Sequence, residues 1–331
     1  MRLSLCIIGC GGYAKTVLND IYDLTEDIEL FFASRDRSKA REYCETYGGS
    51  GYFGSYEEAM SDSRVAAVYF FTPHHLHLDN ALRAASHSKH ILMEKPIART
   101  IDESRTMMQA AKDAGIKLMV AENFRFLPTV AKARDILNQT SEASIGDLRL
   151  IQMQVEGYGE PAGWRANAEQ TGGGVLIDGG IHFVDMLVNL GGFPDRVYAV
   201  KPPQVFRQVE GEDGIVMTFQ MPGGAVGLIN YSRATAIGSM RQWVHITGTR
   251  GQISFVPFGN SLTVEMGNVV RTVPLPEARR GVREMIKEFR DSVLEDREPA
   301  MSGEEGLRDL AVVLGAYQSA ELGREVLLTP P

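Results

Sequence analysis

Cysteine is scarce in this 331-residue chain: Cys6, Cys10 and Cys44 are an odd number with no second cluster to match. That excludes a disulfide framework and fits a protein of the reducing cytoplasm, with Cys6 and Cys10 as small core or turn residues. Positive charge is also in deficit. Lys plus Arg total 34 against 42 for Asp plus Glu, a net charge of −8, which opposes nucleic acid and anionic membrane at long range and leaves room for a local basic pocket that takes one small anion. Long apolar runs are missing. The longest clean one, Val65 to Phe71, falls far short of the roughly 18 to 20 residues of a membrane helix. Met1-Arg2 followed by Leu3 to Ile8 reads as a first strand rather than a leader, because the run is brief, has no small-residue cleavage site after it, and passes straight into glycines. No internal repeat or low-complexity segment is visible. What the chain does have is glycine, 34 residues of it, above an average usage of about 7%. With 44% apolar and 23% charged residues, this describes a globular protein rich in tight turns, and its length corresponds to two domains of about 150 residues.

From Leu3 to Val120 short β-rich runs alternate with helix-length segments, the pattern of a parallel sheet covered on both faces. Strands are expected at Leu3 to Ile8, Ile28 to Ala33, Ala66 to Phe71, His90 to Met93 and Lys117 to Ala121. Helices are expected at Ala14 to Tyr22, Ser38 to Tyr47, Leu76 to Ser86 and Ile101 to Ala114, the last closed by Gly115. After Glu122 the character changes. A helix over Thr129 to Leu137 precedes β-rich runs at Leu148 to Val155, Gly214 to Gln220, Ala225 to Tyr231 and Trp243 to Thr247, with Pro222-Gly223-Gly224 as a hairpin turn. A helix from Asp178 to Leu190 interrupts them, and helices near Arg280 to Leu294 and Glu304 to Leu322 close the chain. The fold class read from this is α/β: an N-terminal doubly wound domain over residues 1–121, then a C-terminal α+β domain over residues 122–331 with a largely antiparallel sheet.

Gly9-Cys10-Gly11-Gly12-Tyr13-Ala14 follows an apolar strand and opens a helix, a G-x-G-x-x-A arrangement. The first glycine permits the tight turn, the second lets a pyrophosphate approach the backbone, and the small Ala14 lets helix and strand pack closely. Free N–H groups and the positive end of the helix dipole then hold phosphate charge. The ribose-recognition position, about 20 residues further on, falls at Ser34 in Ser34-Arg35-Asp36-Arg37. A carboxylate there would bond the ribose hydroxyls and repel a 2′-phosphate, whereas Ser34 and Arg35 accommodate one. NADP is therefore favoured over NAD, with Asp36 as the residue that would reverse the preference and Arg37 on a solvated turn.

Val68-Tyr69-Phe70-Phe71-Thr72-Pro73-His74-His75-Leu76-His77 followed by Ile91-Leu92-Met93-Glu94-Lys95-Pro96 resembles the Gfo/Idh/MocA oxidoreductase family. Gly172-Gly173-Gly174-Val175-Leu176-Ile177-Asp178-Gly179-Gly180-Ile181-His182-Phe183-Val184-Asp185 is similar to the family's second signature, and Thr247-Gly248-Thr249-Arg250-Gly251 to its later turn. These marks stand in the family's order over nearly the whole chain. The resemblance implies a Rossmann domain, a second domain on an open, mostly antiparallel sheet, and a pyridine-nucleotide enzyme acting on sugars, inositols or related polyols. It further implies a homodimer or homotetramer associating through the sheet's exposed face. It places Thr72, Pro73, His77, Glu94 and Lys95 beside the cofactor, with a cis Lys95-Pro96 bond.

Oxidising a secondary alcohol needs a base for the hydroxyl proton and a cation or donor for the developing alkoxide. Lys95 lies just past a strand, at the carboxyl edge of the sheet where doubly wound folds bind ligands. Asp178, His182 and Asp185 are spaced i, i+4 and i+7, which predicts one shared helix face ended by Gly191. The resemblance implies that His182 relays the hydroxyl proton and that Asp178 touches a substrate hydroxyl or tunes its neighbours. Imidazole titrates near working pH. Asn123 and Arg125 are candidate substrate or cofactor contacts. Trp164 beside Arg165 suits a sugar face and its hydroxyls or carboxylate. His74, His75 and His77 invite a metal reading, but no cysteine or carboxylate stands at zinc spacing, and no metal is expected. The first reading is an NAD(P)-dependent dehydrogenase or reductase. A redox-neutral enzyme that oxidises a hydroxyl transiently on tightly held NAD(H), and a non-catalytic NAD(P) sensor, are the alternatives.

Overall fold

The computed structural model describes residues 1–139, 144–277 and 279–331. They form two compact units, one of Met1–Glu122 with Val282–Leu307 and one of Asn123–Gly281 with Arg308–Pro331. Residues 282–307, counted with the second domain on sequence grounds, therefore pack in the first unit.

The first unit runs β1 (Leu3–Ile8), α1 (Gly12–Ile21), β2 (Ile28–Ala33), α2 (Arg37–Tyr47), β3 (Gly51–Phe53), α3 (Tyr56–Ser61), β4 (Ala67–Phe70), α4 (His77–Ser86), β5 (His90–Met93), α5 (Ile101–Asp113) and β6 (Leu118–Val120). The six strands pair in the order β3-β2-β1-β4-β5-β6, all in parallel. This is the Rossmann order, and the reversal between β1 and β4 creates the crevice at the strands' carboxyl ends. Burial explains the apolar runs: all four residues of β4 and five of the six in β1 are buried, as parallel strands covered on both faces require. The helices start where side chains satisfy their first amides. Asp36 accepts from Ser38 N–H at α2, Ser55 from Glu58 N–H at α3, and Thr100 from Glu103 N–H at α5. β3 and α3, three and six residues long, were not anticipated, being too short to show a period.

The second unit contains α6 (Pro128–Leu137), β7 (Leu148–Glu156), α7 (Ala168–Thr171), α8 (Ile181–Gly191), β8 (Arg196–Val200), β9 (Gly214–Gln220), β10 (Val226–Ser232), β11 (Arg241–Gly248), β12 (Gln252–Phe255), β13 (Ser261–Met266) and β14 (Val269–Pro274). After them α9 (Val282–Leu294) belongs to the first unit. There Arg283 pairs with Asp23, and Arg290 with Asp27. α10 (Gly303–Leu322) and β15 (Val326–Leu327) complete the chain. The sheet order is β14-β13-β12-β11-β7-β10-β9-β8-β15. Among the described residues only β7 and β10 pair in parallel; the other neighbours are antiparallel, as the sequence led us to expect. The expected hairpin joins β9 to β10, with Gly223 and Gly224 at φ 74° and 85°. Strict alternation along β7 and β11 buries one face. Among the described residues one segment, 168–191, is long and apolar enough to cross a bilayer by composition, and 72% of its most apolar window is buried inside the protein.

Candidate active site

At the end of β1 the chain turns on Gly9, at φ 103°, where a Cβ would stand 2.7 Å from the Phe71 carbonyl oxygen. Only glycine passes there. Gly11 and Gly12 face open space, Gly11 caps α1 without any side chain in the way, and Ala14 is fully buried against the sheet. The loop thus presents the first amides of a ten-residue helix to an approaching anion, the fit a dinucleotide pyrophosphate needs. Burial pushes the Cys10 thiol up to about 12, so no thiolate opposes phosphate there. Replacing Gly9 by Ala is expected to abolish nucleotide binding, by clash and by backbone strain, in a titration followed by nicotinamide fluorescence.

After β2, Ser34 is 8% exposed and its hydroxyl accepts from Asp36 N–H at 3.1 Å. Asp36 is engaged in capping α2: its carboxylate takes Ser38 N–H at 3.0 Å and the Ser38 hydroxyl at 2.6 Å. Arg37 pairs with Glu58 and lies over Tyr52. Arg35 is exposed and in no ion pair among the described residues.

Two further loops close the crevice. Phe71-Thr72-Pro73 follows β4, and Glu94-Lys95-Pro96 follows β5, with the expected cis bond between Lys95 and Pro96. His77, the first residue of α4, ties the two together: its Nδ1 lies 3.0 Å from the Pro96 carbonyl and its Nε2 3.0 Å from that of Thr72. It has no exposed surface, and burial pushes it down to about 4, so the ring is neutral. Asn80, one turn further along α4, donates to the Thr72 hydroxyl at 3.0 Å. Thr72, His77 and Glu94, expected beside the cofactor, are all buried. Gly9, Gly11, Gly12, Tyr13, Arg35, Pro73 and Lys95 are the members of that set with open surface.

In the second unit the signature is not one regular helix. A π-helical turn over Leu176–Gly180 leads into α8, which ends at Gly192 rather than Gly191, with φ 86° and its N–H on the Val188 carbonyl. Wide turns of this kind recur at functional sites, and here the three acidic and imidazole side chains have different partners. Asp178 takes Arg165 Nε at 3.1 Å, and the Arg165 guanidinium lies 4.4 Å over the Trp164 ring. His182, half-buried, stacks on Phe124 at 4.1 Å and 7°. Phe124 is itself held edge-on by Phe183 and Phe258. Asp185 is fully buried and takes Arg125 Nε at 3.0 Å. Arg125, expected at the substrate, is only 7% exposed because this ion pair consumes it. Asn123 is likewise turned inward, its amide donating to the Arg280 carbonyl at 2.5 Å.

Two residues that sequence inspection missed anchor the π-helical turn. The Tyr317 hydroxyl accepts from Gly174 N–H at 3.1 Å and Ile177 N–H at 3.2 Å and donates to Glu212 Oε1 at 3.0 Å, while Leu176 N–H donates to the same oxygen at 2.8 Å. A Cβ on Gly173 would lie 2.5 Å from the Tyr317 ring, and one on Gly174 2.4 Å from Glu212 backbone. The glycine run was the available signal: something must approach it closely, though not which residue.

A switch-point sheet with a glycine cradle, and a second unit on a mixed sheet carrying an Asp/His signature, define a nucleotide-dependent oxidoreductase of two units. Residues 3–122 match the oxidoreductase family with an NAD-binding Rossmann fold, and residues 130–254 match the GFO/IDH/MocA C-terminal domain. The chain is 30% identical over 256 residues to trans-1,2-dihydrobenzene-1,2-diol dehydrogenase of Mus musculus, covering 76% of this chain and 74% of that one. It is 27% identical over 309 residues to 1,5-anhydro-D-fructose reductase of Ensifer adhaerens, 90% of each. Levoglucosan dehydrogenase in complex with NADH and levoglucosan shares the fold with a TM-score of 0.89 at 24% identity, over 99% of this chain and 100% of that one. The chain belongs to the Gfo/Idh/MocA family and is an NAD(P)-dependent oxidoreductase acting on CH–OH groups.

Proposed function

We propose that the protein moves a hydride between NADP(H) and a secondary hydroxyl or carbonyl of a cyclic sugar, keto-sugar or polyol. The carrying observation is Lys95, half-exposed at the carboxyl end of β5 in a sheet whose switch point bears the glycine cradle. Nicotinamide, when bound, supplies or accepts the hydride. Lys95 holds the substrate oxygen and steadies its developing negative charge, and His182, its ring plane set by Phe124, gives and takes the hydroxyl proton. Asp178 and Arg165 bind hydroxyls, and Trp164 offers an apolar surface to a sugar ring. The half-exposed Tyr198, Val226 and Trp243 on one sheet face support assembly as a homodimer or homotetramer.

The NADP preference rests on Asp36 being engaged at the α2 amides, so that Arg35 and Ser34 are the groups next to a 2′-phosphate. Titration of cofactor-stripped protein, followed by nicotinamide fluorescence, is expected to give tighter binding of NADPH than of NADH. Arg35→Ala should weaken NADPH by roughly tenfold or more and leave NADH unchanged. Tighter binding of NADH would instead assign the ribose to Asp36 and overturn the preference.

A further inference from the structure

Tyr69 lies within β4 and is 1% exposed; its hydroxyl donates to Glu94 Oε1 at 2.7 Å, and Glu94 is 6% exposed. The Phe71 ring covers Tyr69 at 4.0 Å. Several polar groups act on this carboxyl. β4 supplies Tyr69, the end of β6 is followed by Glu122, and the loop itself supplies the Lys95 ammonium and backbone N–H. Tyr13 of α1 acts on Tyr69, and His77 of α4 feels Lys95. The charges oppose one another. Burial, the largest effect, and the neighbouring Glu122 push the Glu94 carboxyl up, Lys95 and the Tyr69 hydroxyl pull it down, and it comes to rest at about 7. A carboxyl next in the chain to Lys95 thus changes charge near neutrality.

We infer that Glu94, held by Tyr69, sets the charge beside Lys95, so that both are positioning residues for the proton step at that lysine. Ionised Glu94 supports the Lys95 ammonium as a donor to the substrate oxygen, and protonated Glu94 withdraws that support, its proton being exchanged with solvent. This rests on the role proposed for Lys95, but its test needs no substrate.

The test is an infrared pH titration of the purified full chain without substrate, following the carbonyl stretch of a buried protonated carboxyl. A band that titrates near neutrality is expected in the native protein and not in Glu94→Gln. Tyr69→Phe removes a donor to the charged form and should raise the midpoint by about one unit, a tenfold change in proton affinity. Lys95→Met removes the attracting cation and should raise it as well. If Glu94→Gln fails to fold, the shifts in Tyr69→Phe and Lys95→Met decide the matter. A band that persists in folded Glu94→Gln, or a midpoint indifferent to Lys95→Met, overturns the inference. Failure of the hydride-transfer proposal would appear separately, as absent turnover with the titration intact.

Discussion

Lys95→Met is expected to lower kcat/KM by about 100- to 10,000-fold, the range for a group that handles a proton or its charge in the transition state, with little change in stability. The lysine is partly exposed at a strand end, and Met keeps the length of its stem. His182→Ala should cost a similar factor. Its imidazole lies flat on Phe124, which remains gripped by Phe183 and Phe258. Steady-state kinetics with NADPH on a substrate drawn from a panel of cyclic sugars, keto-sugars and polyols, paired with a thermal unfolding curve, checks both. Turnover that survives either change would remove that residue from the mechanism.

The second large effect concerns stability. Asp185 is completely buried and Arg125 nearly so, and each is the other's charge partner. Removing one member takes this ion pair away from a charge held out of water, so Arg125→Met or Asp185→Leu should each destabilise the protein by about 3 to 5 kcal/mol. The double replacement should recover much of that loss, because an apolar pair of similar volume fills the same space without desolvating any charge. Urea unfolding of the two single variants and the double variant closes the cycle. A substrate contact would behave otherwise: Arg125→Met would raise KM at unchanged stability, and that outcome would return Arg125 to the role first expected of it.

Much of the cofactor side was legible in the chain itself. β1, β2 and β5 were bounded correctly because continuous apolar runs between turn residues are what a doubly covered parallel sheet demands, and the glycine loop encodes its own geometry through Gly9. The Glu94-Lys95-Pro96 turn is equally local. On the second unit the same reasoning carried less far. The i, i+4, i+7 spacing of Asp178, His182 and Asp185 implied one regular helix face, but the π-helical turn over 176–180 broke the register, and the neighbours then assigned each side chain separately.

What the sequence by itself determined was the class of fold, the glycine turn after the first strand and the residue types available for chemistry, since these depend on contacts within a few residues. Only the tertiary structure decided which of those residues remain available. Arg125 is drawn to Asp185 across 60 positions, Tyr317 reaches Gly174 across 143, and Tyr69 meets Glu94 across 25. No local period records such pairings, because a buried polar group must find its partner wherever the fold brings one, and the distance along the chain carries no information about it.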